Sequence, residues 1–105
     1  MPQADAFADG AAMFAHLSDP NRLRIFWILC HAEECVMNIS AAAGMSSPAV
    51  SHHLRILRAA GLITSRRVGK EVYYHIKKDS RNAQLLHQFI DAIFDVDCPE
   101  HETSA

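Results

Sequence analysis

Apolar residues recur at helical spacing through the first half of the chain, alternate once, and then return to helical spacing. Between Ala4 and Leu17, Phe7, Ala11, Phe14 and Leu17 predict a first helix. "SDP" then offers Asp19 as an N-cap and Pro20 at the first helical position. The second helix runs to about Cys30, with Leu23, Phe26, Trp27 and Cys30 on one face. "HAEE" breaks the pattern, and "CVMNISAAAGM" reads as a short third helix ended by Gly44. Ser47 as N-cap, Pro48 at N1 and Gly61 as the left-handed stop delimit a fourth helix. Its stripe of Val50, Leu54 and Leu57 is expected inside, with Ser51, His52, Arg55 and Arg58 opposite.

After Gly61 the period changes. "LITSRRV" and "EVYYHI" are β-rich runs separated by "GK", which predicts a hairpin with a basic tip. From Asp79 to Val96 the helical pattern returns, with Leu85, Leu86, Phe89, Ile90, Ile93 and Val96 apolar. So wide a stripe on a last helix, together with the first helix, predicts a homodimer interface. The resulting expectation is a mainly α fold with a small β-hairpin (α+β), a winged helix-turn-helix. It is a single domain, 1–105: dimerisation helices at 1–17 and 79–97, helix-turn-helix at 36–61, wing at 62–76 and a flexible tail at 98–105.

Composition sharpens this picture through the distribution of charge. The net charge of −2 hides a split: residues 46–81 hold eight of the ten Lys and Arg and come to +6. Residues 1–45 come to −3 and residues 82–105 to −5. A basic middle between acidic ends is the footprint of a face that binds a polyanion. A helix fits the major groove of duplex DNA and a two-stranded ribbon reaches the backbone beside it. The fourth helix offers Ser46, Ser47 and Ser51 first, then His52, then Arg55 and Arg58. That order suits base edges first and phosphates later, with Arg66, Arg67 and Lys70 of the wing adding backbone contacts. The opening residues lack the pattern of a signal peptide, and "IFWILC" is too short to span a bilayer. No membrane role is expected, and three cysteines without an export signal predict reduced thiols in the cytoplasm.

"LSDPNRLRIFWIL", "ECVMNISAAAGMSSPAVSHHLRILRAAGLI" and "RRVGKEVYYHI" resemble the ArsR/SmtB family of dimeric winged-helix repressors, over roughly residues 11–96. The resemblance implies repression through a palindromic duplex operator, released when a metal ion, metalloid or reactive sulfur species reaches a sensor site. It also places "SHHL" in the recognition helix. His52 is then the outward contact and His53 a semi-buried packing residue, because adjacent helix positions diverge by about 100°.

The family's sensor motifs are incomplete. Where metal-sensing members carry "ELCVCDL", this chain has "EECVMNI": Cys35 remains and Met37, read as core, replaces the second thiolate. At the family's C-terminal histidine site, aligned Asp79 and Asp95 remain, but Arg81 and Ala92 stand where histidines belong. A tetrahedral zinc site is not expected there, and His87 is assigned to the surface or interface. Sulfur is what remains. Cys98 in "DCPEHE" is similar to the terminal cysteine of the family's sulfide-responsive branch. Its partner is either Cys35, at a helix start that lowers a thiol pKa while two carboxylates oppose it, or Cys30, otherwise buried filler. If the inducer is a metal, Cys35 and Cys98 are its ligands, with His101 and Glu102 available to help. No constitutive cofactor is expected; the inducer is either a soft metal or metalloid ion, or reactive sulfur or an oxidant. The alternatives are a winged helix without a sensor and a Cys/His enzyme. No Gly-rich loop, nucleophile elbow or paired-acid motif supports the enzyme, and no catalytic residue is assigned.

Overall fold

The computed structural model describes residues 1–96, with side chains to Phe94. Its elements run α1 (Ala4–Ala15), α2 (Pro20–His31), β1 (Glu34–Cys35), α3 (Val36–Ala43), α4 (Ser47–Ala59), β2 (Ile63–Val68), β3 (Glu71–Ile76) and α5 (Arg81–Val96). This is the winged helix-turn-helix the pattern predicts. Cys98, His101, Glu102 and the proposed tail lie outside the described residues. Among the described residues, no helix is long and apolar enough to cross a membrane.

Local chemistry sets the boundaries. Asp19 caps α2 as expected, its Oδ1 accepting from the amides of Asn21 and Arg22 at 2.9 and 3.0 Å. Gly44 ends α3 at a φ of 66°, where a side chain would be strained. The N-cap of α4 is Ser46 rather than Ser47: its Oγ accepts from the Ala49 amide at 3.3 Å. Ser80 caps α5 in the same way, accepting from the Ala83 amide at 3.2 Å. At the wing tip, Val68 pairs with Glu71, leaving Gly69 and Lys70 as a two-residue turn. Only Gly69 has positive φ (63°), which fits a II′ hairpin turn better than I′.

The sheet has three strands, not two. "HAEE" leads into β1, which pairs antiparallel with β3 through Glu34–Tyr74 and Cys35–Tyr73, giving the order β1-β3-β2. The core takes Ile25, Phe26 and Leu29 from α2, Ile39 from α3, and Val50, Leu54 and Leu57 from α4. The roots of the wing (Leu62, Ile63, Ile76) and Ala83, Leu86 and Ile90 of α5 complete it. The wing is therefore rooted in the core while its tip stands in solvent.

Two expectations about burial need correction. On α2, Ile25 and Leu29 join Phe26 inside, whereas Leu23, Trp27 and Cys30 are only partly buried against the core. Met37 is not core: it is 70 % exposed on the outer side of α3.

Candidate nucleic-acid interface

The outward face of α4 carries the residues expected there. Ser46, Ser47, His52, Arg55 and Arg58 are exposed and Ser51 is half-buried. The turn before it is pinned from α3, where the Ser40 hydroxyl donates to the Met45 carbonyl. Small hydroxyls stand at the helix start, and the arginines follow about two and three turns later.

His53 faces inward, as expected, at 8 % exposure. Its Nδ1 lies 3.4 Å from Arg22 Nη1 and its Nε2 4.0 Å from Asp19 Oδ1. Arginine can only donate, so Nδ1 accepts and the ring is the neutral Nε2–H tautomer. Arg22 Nε also donates to the His16 carbonyl at the end of α1. One guanidinium thus ties α1 to α2, and α2 to the inner side of the reading helix. Burial is the main reason the His53 imidazolium is disfavoured and its pKa lies below the ordinary value, although Asp19 pulls the other way.

That shift has a consequence for stability. In the unfolded chain His53 binds a proton near its ordinary pKa of 6.5, whereas in the fold it binds one only at lower pH. The unfolded state therefore holds more protons just below neutrality, and stability should fall as pH drops through that value. A second loss should follow in the carboxylate range. Arg66 holds Glu33, and the Arg22 amide holds Asp19, below their ordinary pKa values in the fold. Thermal unfolding between pH 8 and 5 checks the first step: His53→Gln should flatten it. An equally steep profile in that variant would move the effect elsewhere.

The wing is more divided than its sequence suggests. Arg67 and Lys70 are exposed. Arg66, next to Arg67 and so on the opposite face of β2, instead grips Glu33, with Nε–Oε2 and Nη2–Oε1 distances of 2.7 and 2.5 Å. His75 adds Nε2 at 3.7 Å from the same carboxylate. Arg66 is exposed as well, and this pair links the wing to the approach to β1.

The thiols differ in environment. Cys30 is half-buried, and desolvation with the Asp91 charge pushes its thiol up to about 12, so it stays protonated at neutral pH. Cys35 is 6 % exposed at the N-cap position of α3, without a side-chain cap bond.

The apolar stripes read on the first and last helices form a third feature. α1 buries none of its residues, and Phe7 and Phe14 are 57 % and 61 % exposed. Leu85, Phe89 and Ile93 on α5 are each about half exposed, and the Phe14 and Phe89 rings meet edge-on at 6.3 Å. Between these helices lies an almost wholly apolar groove of about 200 Å³. A 12-residue helix with no buried face is not self-supporting in water.

Residues 19–65 match the family described as bacterial regulatory protein, arsR family. The chain is 41 % identical over 87 residues to a transcriptional repressor SmtB homolog of Synechocystis, covering 83 % of this chain and 65 % of that one. It is 31 % identical over 98 residues to the HTH-type transcriptional regulator KmtR of Mycobacterium tuberculosis, covering 89 % and 72 %. Among solved structures, it superposes with a TM-score of 0.72 at 28 % identity on a homodimeric winged helix-turn-helix DNA-binding domain from Mycobacterium bovis. That match covers 88 % of this chain and 83 % of the other, which is described as a possible ArsR-family transcriptional regulator.

Proposed function

Because this chain belongs to the ArsR family of bacterial regulatory proteins, whose members are transcriptional regulators and not enzymes, we propose that it is an inducible repressor. It acts as a homodimer on a palindromic duplex operator. The observation that carries this reading is the outward face of α4. Ser47, Ser51, His52, Arg55 and Arg58 form one presented surface, continuous in chain order with the exposed wing residues Arg67 and Lys70. Its α4 helices would enter successive major grooves about one helical turn apart. The half-exposed apolar faces of α1 and α5 supply the dimer contact in this reading, and the structural relative from M. bovis is described as homodimeric. A reduced cytoplasm is the compartment that fits free thiols.

Within this reading, Ser46 and Ser47 sit at the helix start, His52 touches a base edge and Arg55 and Arg58 follow the backbone. His52→Ala should weaken operator binding by about 1–3 kcal/mol while leaving binding to random DNA nearly unchanged. Lys70→Ala should weaken both alike. A filter or anisotropy titration on the two DNAs separates them, and equal losses for His52→Ala would demote it to a backbone contact.

The inducer acts on sulfur in this proposal, as a soft metal or metalloid ion or as a reactive sulfur species. Cys35 begins the helix that positions α4, and Cys98 follows the dimerisation helix in the sequence. A bridge between them would couple dimer geometry to reading geometry. The high pKa of Cys30 leaves it the weaker partner. The Cys35→Ser, Cys98→Ser double variant should bind operator normally but lose the roughly 5- to 150-fold release that a coupling of about 1–3 kcal/mol gives. Operator titration with Cd(II), Pb(II), As(III), Cu(I) and persulfide under anaerobic conditions tests this. Normal release in that variant would exclude the thiols as the sensor.

A further inference from the structure

We propose that His31, His87 and Asp91 form a binding site for a borderline divalent transition-metal ion of the zinc class, one that clamps the end of α2 to the middle of α5. His31 is the last residue of α2, and His87 and Asp91 lie four positions apart on α5, one above the other. Their ligand atoms all lie within 4.8 Å of one another. The Asp91 carboxylate is shared, with Oδ1 3.1 Å from His31 Nε2 and Oδ2 2.9 Å from His87 Nε2. Ligands held 2.0–2.1 Å from a tetrahedral ion stand about 3.3 Å apart, so both contacts are already near the required spacing.

A second observation points the same way. His87 Nε2 is shielded from solvent, yet its contact with Asp91 lacks hydrogen-bond geometry, so the nitrogen has no bonding partner. An imidazole nitrogen buried beside a carboxylate without a bond is costly, and a cation between them satisfies both. Two imidazoles and one carboxylate suit zinc, cobalt or nickel better than thiophilic ions. The three side chains keep between 23 and 38 % exposure, which leaves an approach for the ion and a coordination position for water. The Trp27 ring, 4.8 Å from that of His31, backs the α2 ligand. Since α2 also packs on α4 through Arg22 and His53, the clamp would fix α5 relative to the reading helix. That regulatory consequence rests on the DNA-binding reading; the site itself does not.

Cobalt(II) titration of the metal-free full chain tests the site, in wild type and in the Cys35→Ser, Cys98→Ser variant under reducing conditions. The double variant should show visible d–d bands that saturate at one ion per chain, without sulfur-to-metal charge transfer, and zinc should displace them. His87→Ala and His31→Ala placed in that background should weaken binding by more than about tenfold, the least that losing even an outer-shell partner costs. Circular dichroism of the metal-free variants reports their folding. Should one fail to fold, zinc-edge absorption of the double variant still decides, with nitrogen and oxygen neighbours expected. Absence of saturable binding in the micromolar range in the double variant, or unchanged binding in His87→Ala, would overturn the assignment. Operator titration with and without zinc is read separately: wild type that binds no DNA even metal-free would refute the repressor reading and leave the site standing.

Discussion

Phe89→Asp should turn the dimer into monomers and, with them, abolish tight operator binding. Phe89 is 55 % exposed on α5 and touches Phe14 of α1 at the apolar groove. Within one chain the substitution leaves the core nearly untouched, because Leu86 and Ile90 carry the inward face of α5. In the proposed dimer the same position would be buried, where an unpaired carboxylate costs several kcal/mol. About 4 kcal/mol corresponds to roughly a thousandfold weaker association. A monomer holds one half-site only, so operator affinity should fall with it. Analytical ultracentrifugation and operator titration measure the two effects, and circular dichroism should confirm an intact monomer fold. Phe89→Leu, apolar and smaller, should stay dimeric. If Phe89→Asp remained a tight dimer, α1 and α5 would not be the interface.

Much of this architecture is legible in the residues because each local signal agrees with the global fold. Asp19–Pro20 opens α2, Gly44 closes α3, and the Gly69–Lys70 turn joins two β-rich runs. The inward stripe of α4 follows directly from Val50, Leu54 and Leu57, and the divergence of His52 and His53 follows from helix geometry. What escapes the sequence is short or non-local. β1 has two residues, too few for alternation to show, and it exists only because β3 offers a partner. Ser46 and Ser47 are equally good caps by type, and the backbone conformation decides for Ser46. Met37 is apolar by type, but α3 is a short helix that turns its inner face through Ile39 and Ala43. The Arg66–Glu33 pair spans 33 positions, so the sequence alone does not show that this wing cation is also tied to the approach to β1. Likewise, His31 and Asp91 are 60 positions apart and meet only through the packing of α2 on α5. The sensor is hardest to read because two of the family's motifs are half present, and Cys98 lies outside the described residues.

The central claim is that the basic middle of the chain is a DNA-binding face, and the salt dependence of operator affinity tests it most directly. Each phosphate neutralised by Lys or Arg releases a counterion, giving a log–log slope of about −0.9 per contact. Leaving aside Arg66, which is paired with Glu33, each protomer offers Arg55, Arg58, Arg67 and Lys70 as exposed cations on this face. A dimer using between about five and eight of these should show a slope near −4 to −7, a loss of roughly 10²- to 10⁴-fold between 50 and 200 mM salt. The measurement is operator affinity over that range by anisotropy, on the wild-type protein without inducer. A slope in the stated interval supports a winged-helix dimer seated on duplex DNA; a slope near −1 would contradict it.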